Sequence, residues 1–198
     1  CLVCGPPKMN VSPLHHGCSG NHAALILGAW INGFSLDNYG SIEHPIQQII
    51  SKLVADFCGS PSLEIDMDGC GVPTFGVSLT GAARSFAVLA QTDKSWSVIP
   101  DAMLSFPELI GGEAWPDVRT MQACGHRIVA KTGAEGLLCL GLMDSGRGMA
   151  LKTTDGSPRA LGPATVSFMK RCGWISDEEC GALADLARPI IKGPAGEP

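Results

Sequence analysis

RIVAKTGAEGLLCLGLMDSGRGMALKTT, residues 127–154, is the stretch on which the fold turns. Three short runs, RIVAKT, LLCLGL and MALKTT, are rich in apolar and β-forming residues, and the glycine-bearing segments GAEG and DSGRG separate them. Short apolar runs joined by tight, glycine-bearing connections predict an antiparallel meander.

Outward from that meander the pattern becomes helical. Asp155-Gly156 is a turn signal ahead of two helices. The last of these opens with a capping box, Ser176 with Glu179 three residues on. The Gly/Pro tail at Gly193–Pro198 is expected to be disordered. Upstream, Leu79, Ala82, Ala83, Phe86 and Ala90 mark a helix with small residues on its packing face. Ile46, Ile49, Ile50, Leu53, Val54 and Phe57 fall on one helical face, entered through His44 and Pro45 and ended by Gly59. Residues 91–118, with prolines and Gly111-Gly112, read as loop and short helix and carry no candidate site. The run AALILGAWI has the length and composition of a buried helix, begins behind Ser19 as N-cap and stops at Asn32-Gly33. The fold class is therefore α+β, an antiparallel sheet flanked by helices, in one domain over residues 1–192.

With 198 residues, 45% hydrophobic and 17% charged, the chain can bury one sizeable core. A formal net charge of -5 argues against nucleic acid or an anionic membrane surface as partner. No apolar run reaches the length of a membrane span, and nothing at the start resembles a signal peptide. Nine cysteines are scattered singly, without the spacing of a disulfide framework, which points to a reducing, cytoplasmic setting. Cys1 and Cys4 form a CxxC with no second pair, and Gly5-Pro6-Pro7 is a turn. The chain opens without methionine, so it is expected to be a piece of a longer protein.

Three segments could carry chemistry. LHHGCSGNHAA, residues 14–24, places Cys18 at a helix N-terminus among His15, His16 and His22. A helix N-terminus favours a thiolate as nucleophile or metal ligand. DGCGVP, residues 68–73, adds a carboxylate and a thiol on a glycine-rich turn. Two thiols, a carboxylate and imidazoles suit zinc, although spacing alone does not bring Cys18 and Cys70 together. The third segment is Lys131-Thr132-Gly133 at a strand end, the KTG element that lines the cleft of penicillin-recognising serine hydrolases. An S-x-x-K, Ser167 to Lys170, follows that strand instead of preceding it and reads as structural.

CSGNHA, HPIQ, DGCGVPTF, AKTGAEG and GMALKTTDGSPRA together resemble the rhizobial-type, zinc-dependent L-asparaginases of the asparaginase II family. The resemblance runs over nearly the whole chain. It implies a fold similar to serine β-lactamases and glutaminases, and hydrolysis of L-asparagine to L-aspartate and ammonia. It implies zinc on Cys18 and Cys70, with their sulfurs within about 4 Å of one another. Asp68 and His22 match polar residues beside the metal; Asp68 is the second catalytic candidate beside Lys131, which matches the strand lysine of the catalytic centre. His22, Thr132 and Glu135 are the candidates for substrate contact, and a homodimer is the expected assembly.

Two positions depart from the family pattern. CSGKH is the usual motif, whose lysine completes the metal site; here Asn21 occupies that position and offers a weaker donor. Family members also carry an N-terminal portion holding the serine and lysine of an SxxK nucleophile motif and two sheet strands. Their absence from this chain predicts that the polypeptide alone releases no ammonia, and it leaves a sheet edge open to pairing. The alternatives are a non-catalytic zinc-binding or oligomerising module, and a glutaminase or other β-lactamase-like hydrolase, which would keep the KTG strand without needing the cysteine pair.

Overall fold

The computed structural model describes residues 16–112 and 114–190. The CxxC, the Gly5-Pro6-Pro7 turn and the Gly193–Pro198 tail lie outside the described residues. The chain divides into two compact units, Cys1–Asp56 with Pro61–Gly76, and Phe57–Ser60 with Val77–Pro198. Among the described residues no helix is long and apolar enough to cross a membrane.

The first unit holds helix α1 (Ser19–Ile31), most of helix α2 (Pro45–Cys58), and a hairpin of β1 (Glu64–Met67) with β2 (Pro73–Gly76). Helix α1 stops as expected, with Asn32 as C-cap and Gly33 at φ +70°. Its start differs from expectation: Cys18, not Ser19, is the N-cap residue, and Ser19 is the first helical position. The apolar run also fails to bury itself. Leu25 and Ala29 are covered, while Leu27, Trp30 and Ile31 are more than half exposed. The run is apolar all round, as a core helix is, but among the described residues the core of its unit is Leu25, Ala29, Ile46 and Val72, with Phe34, Tyr39, Ile50 and Cys70 against it.

Helix α2 begins and ends where its signals lie, at Pro45 and before Gly59, which takes φ +65°. His44 is a buried helix-entry residue; its Nδ1 accepts the Ile46 N–H and its Nε2 lies 3.0 Å from the Ser35 carbonyl. One turn inward, buried Gln47 donates to the Tyr39 carbonyl at 2.7 Å. These bonds tie the loop between the helices to α2, because buried polar groups must find partners.

The second unit is built on the expected meander, β3 (Ile128–Gly133), β4 (Leu137–Leu142) and β5 (Arg147–Lys152), antiparallel and in that order. Helix α3 (Leu79–Leu89), capped by Ser78, lies directly on it. Gly141 and Gly148 are cross-strand partners, and a methyl group on them would stand 2.3 Å from Phe86 O and 1.9 Å from Ala83 O. Glycine on the sheet and alanine on the helix together permit that approach. Residues 91–118 hold helix α4 (Val98–Ser105) and the start of helix α5 (Pro116–Cys124), which packs on β3. Helices α6 (Leu161–Arg171), α7 (Asp177–Ala182) and α8 (Ala184–Ala187) complete the unit. The capping box is present in full, Ser176 Oγ accepting from Glu179 N–H and Glu179 Oε2 from Ser176 N–H. Ile128, Leu138, Leu140, Leu161, Met169 and Leu183 are the largest of the fully buried hydrophobic side chains around which this core closes.

Candidate functional site

In the first unit the start of α1 and the turn of the β1–β2 hairpin come together. Val72, at the end of the turn, packs in one core with Leu25 and Ala29 of α1, so burial of three aliphatic side chains sets the two backbones side by side. Asp68 N–H donates to Val72 O at 2.8 Å and Gly71 N–H to Asp68 O at 2.9 Å, with Gly71 at φ +85°. Gly40 lies against the same turn, where a Cβ would stand 2.9 Å from Gly71 O. A side chain at residue 40 would push the turn away.

The result is a donor group. Cys18 Sγ, Cys70 Sγ and an Asp68 carboxylate oxygen lie within 4.8 Å of one another, the thiols half-buried and the carboxylate exposed. Cys70 Sγ donates to Asp68 Oδ2 at 3.0 Å. That bond, helped by burial and the neighbouring Cys18, pushes the Cys70 thiol up to about 11, and the same bond holds the Asp68 carboxyl below its ordinary value. Two sulfurs and one oxygen in so small a space match the ligand types and spread of four-coordinate zinc, with one place left over. A metal would take the place of the thiol proton.

His22 stands one turn beyond Cys18. Its backbone N–H donates to Cys18 O at 3.0 Å, and its Nδ1 is 2.7 Å from Tyr39 Oη, the rings meeting edge to face. Asn21 is exposed in the first turn of α1.

Lys131, Thr132 and Glu135 belong to the second unit. Lys131 is exposed near the end of edge strand β3, and its Nζ donates to the Thr132 carbonyl at 2.6 Å. The Thr132 hydroxyl is buried without a hydrogen-bond partner among the described residues. Glu135 is an exposed hairpin residue at φ +54°, followed by Gly136 at φ +72°. A side chain at Gly136 would collide with Thr153 Oγ1 at 1.9 Å, which fixes the tight turn after the KTG element.

Sequence reasoning missed two residues here. Tyr39 gave no signal beyond its type. Asp117 had one, since Pro116-Asp117 is a helix-start pair, but nothing in that pair foretold that its carboxylate would be buried against the KTG strand. In the S-x-x-K of α6, Ser167 is exposed and Lys170 Nζ is engaged by Asp177.

No curated protein gives a significant match to the chain. The profile of the L-asparaginase II family, by contrast, matches residues 7–198, a span that includes the thiol pair, Asp68 and the KTG strand, and the chain belongs to that family.

Proposed function

We propose that this protein is an L-asparagine amidohydrolase of the rhizobial, zinc-dependent type within its family, on a fold like that of the serine β-lactamases. In this reading a lysine-activated serine attacks the side-chain carboxamide carbon of L-asparagine and ammonia leaves, giving an acyl-enzyme. Water then releases L-aspartate and restores the serine. The described residues contribute Lys131 to this chemistry. Its ammonium is presented at a strand edge, where it supplies positive charge for the substrate carboxylate or for the oxyanion that develops on attack.

Cys18, Cys70 and Asp68 are the residues that would hold zinc, and residue 21 is the remaining candidate donor. Bound there, the ion would supply a fixed positive charge, and His22, held against Tyr39, is the substrate-contact candidate of the first unit. Thr132 and Glu135, flanking Lys131, are the remaining substrate-contact positions.

The observation that carries the reading is Lys131, an exposed lysine in a KTG element on an edge strand of a chain in the asparaginase II family. The test is ammonia release from L-asparagine by the full-length gene product beside its Lys131→Ala variant. Loss of turnover by about 10²-fold or more in the variant supports the role. Equal turnover removes Lys131 from the reaction, and wild-type protein inert toward L-asparagine removes the assignment.

A further inference from the structure

Asp117 is a carboxylate only 1% exposed, in the first turn of α5, outside every segment to which the sequence assigned chemistry. A charge withdrawn from water is held only by donors and counter-charge. Its Oδ1 accepts the Val118 N–H at 2.9 Å. Its Oδ2 accepts the Thr132 N–H at 2.7 Å and lies 4.0 Å from Lys131 Nζ.

Both of the latter partners belong to the KTG element. Because β3 is an edge strand among the described residues, the amide of Thr132 would otherwise face the open side of the sheet. Asp117 takes that N–H, while Lys131 donates to the carbonyl of the same residue at 2.6 Å. One residue of this edge is thus held by a carboxylate that accepts from its amide and an ammonium that donates to its carbonyl, with the two charges facing each other. Helix capping alone would be served by the Val118 contact; the Thr132 and Lys131 contacts are additional and point at the strand.

We propose that Asp117 is the positioning residue of the KTG strand, anchoring the Thr132 amide and setting where the Lys131 ammonium stands. The proposal rests on the role given to Lys131 above. It predicts a separation between two substitutions. Asp117→Asn keeps an acceptor oxygen and removes the charge; Asp117→Ala removes both.

In the full chain, Thr132 amide exchange should accelerate about tenfold or more in Asp117→Ala and stay near the wild-type rate in Asp117→Asn, with the β4 amides unchanged in both. The rate at which an amine-directed anhydride labels Lys131, taken relative to Lys152 on the same sheet, should rise about threefold or more in Asp117→Asn. In the asparagine-hydrolysing protein, Asp117→Asn should lower kcat about tenfold and leave KM within about twofold. Wild-type exchange of Thr132 in Asp117→Ala overturns the anchor. An unchanged Lys131 to Lys152 ratio in Asp117→Asn, or a change confined to KM, overturns the positioning of the lysine. A wild-type protein that releases no ammonia counts against the assigned reaction, while the exchange and labelling results still decide the role of Asp117.

Discussion

Asn21 stands exposed in the first turn of α1, three residues beyond Cys18, at the position where the resemblance implies a lysine. A tetrahedral zinc held by Cys18, Cys70 and Asp68 would have one place left for a further donor. A neutral amine is a better donor for zinc than an amide oxygen. Asn21→Lys should therefore tighten zinc by about 10-fold or more, whereas Asp68→Ala should weaken it by about 10–100-fold, the order known for groups that support a bound metal. Competition titration against a chromophoric chelator checks both. Equal affinities of wild type and Asn21→Lys would mean that residue 21 is not a ligand position. A wild-type affinity in Asp68→Ala would limit the carboxylate to its hydrogen bond with Cys70.

Among the elements, α3 and the sheet depend on a pair of glycines. A methyl group at Gly148 would meet the Ala83 carbonyl at 1.9 Å, and backbone cannot rotate away as a side chain can. Gly148→Ala should lower stability by about 1–3 kcal/mol, measured as a lower urea midpoint at unchanged slope. Gly146, at φ +66° with open space around its Cβ, should lose less when replaced by Asn, which tolerates that region. The start of α7 gives a pH dependence. Glu179 is held below its ordinary value first by the Ser176 N–H and further by the Arg127 guanidinium. A carboxyl depressed in the folded chain adds stability above its unfolded value, and that stability is lost as pH falls through the folded value. Glu179→Gln, which keeps an acceptor for the Ser176 N–H and loses only the charge, should thus cost about 0.3–1 kcal/mol near neutral pH, and the gap from wild type should close on acidification. A gap that widened toward acid would contradict the capping geometry.

On the scale of the whole molecule the two units differ in how much holds each together. Among the described residues, four buried side chains form the core of the first, against seventeen in the second. A unit with so little core gains disproportionately from a bound ion, and a ligand at about 100 times its dissociation constant adds about 2.7 kcal/mol. Zinc should therefore slow limited proteolysis at bonds within residues 16–56 and 61–76, and a chelator should hasten it, while the fragment from Val77 onward survives both. Equal cleavage of the first unit with and without zinc would show that the metal adds nothing to its stability.

The parts legible in the sequence were those set by neighbours along the chain. Strand and turn alternation placed β3, β4 and β5; Pro45 and Gly59 bounded α2; Ser176 and Glu179 closed their box; Cys18 lay at a helix start and Cys70 on a glycine-rich turn. Such features follow from backbone dihedral preferences and hydrogen bonds spanning a few residues, which act in any tertiary context. Burial and convergence followed different rules. AALILGAWI carried every mark of a core helix, yet Leu27, Trp30 and Ile31 stayed exposed, because burial depends on what a unit can fold over a helix and not on the helix alone. Cys18 and Cys70 met because Val72 joins Leu25, Ala29 and Ile46 in one core, formed by residues far apart in the chain. Asp117 became a strand anchor for the same reason. Only the docking of α5 on β3 placed its carboxylate where water is excluded and the Thr132 amide is waiting.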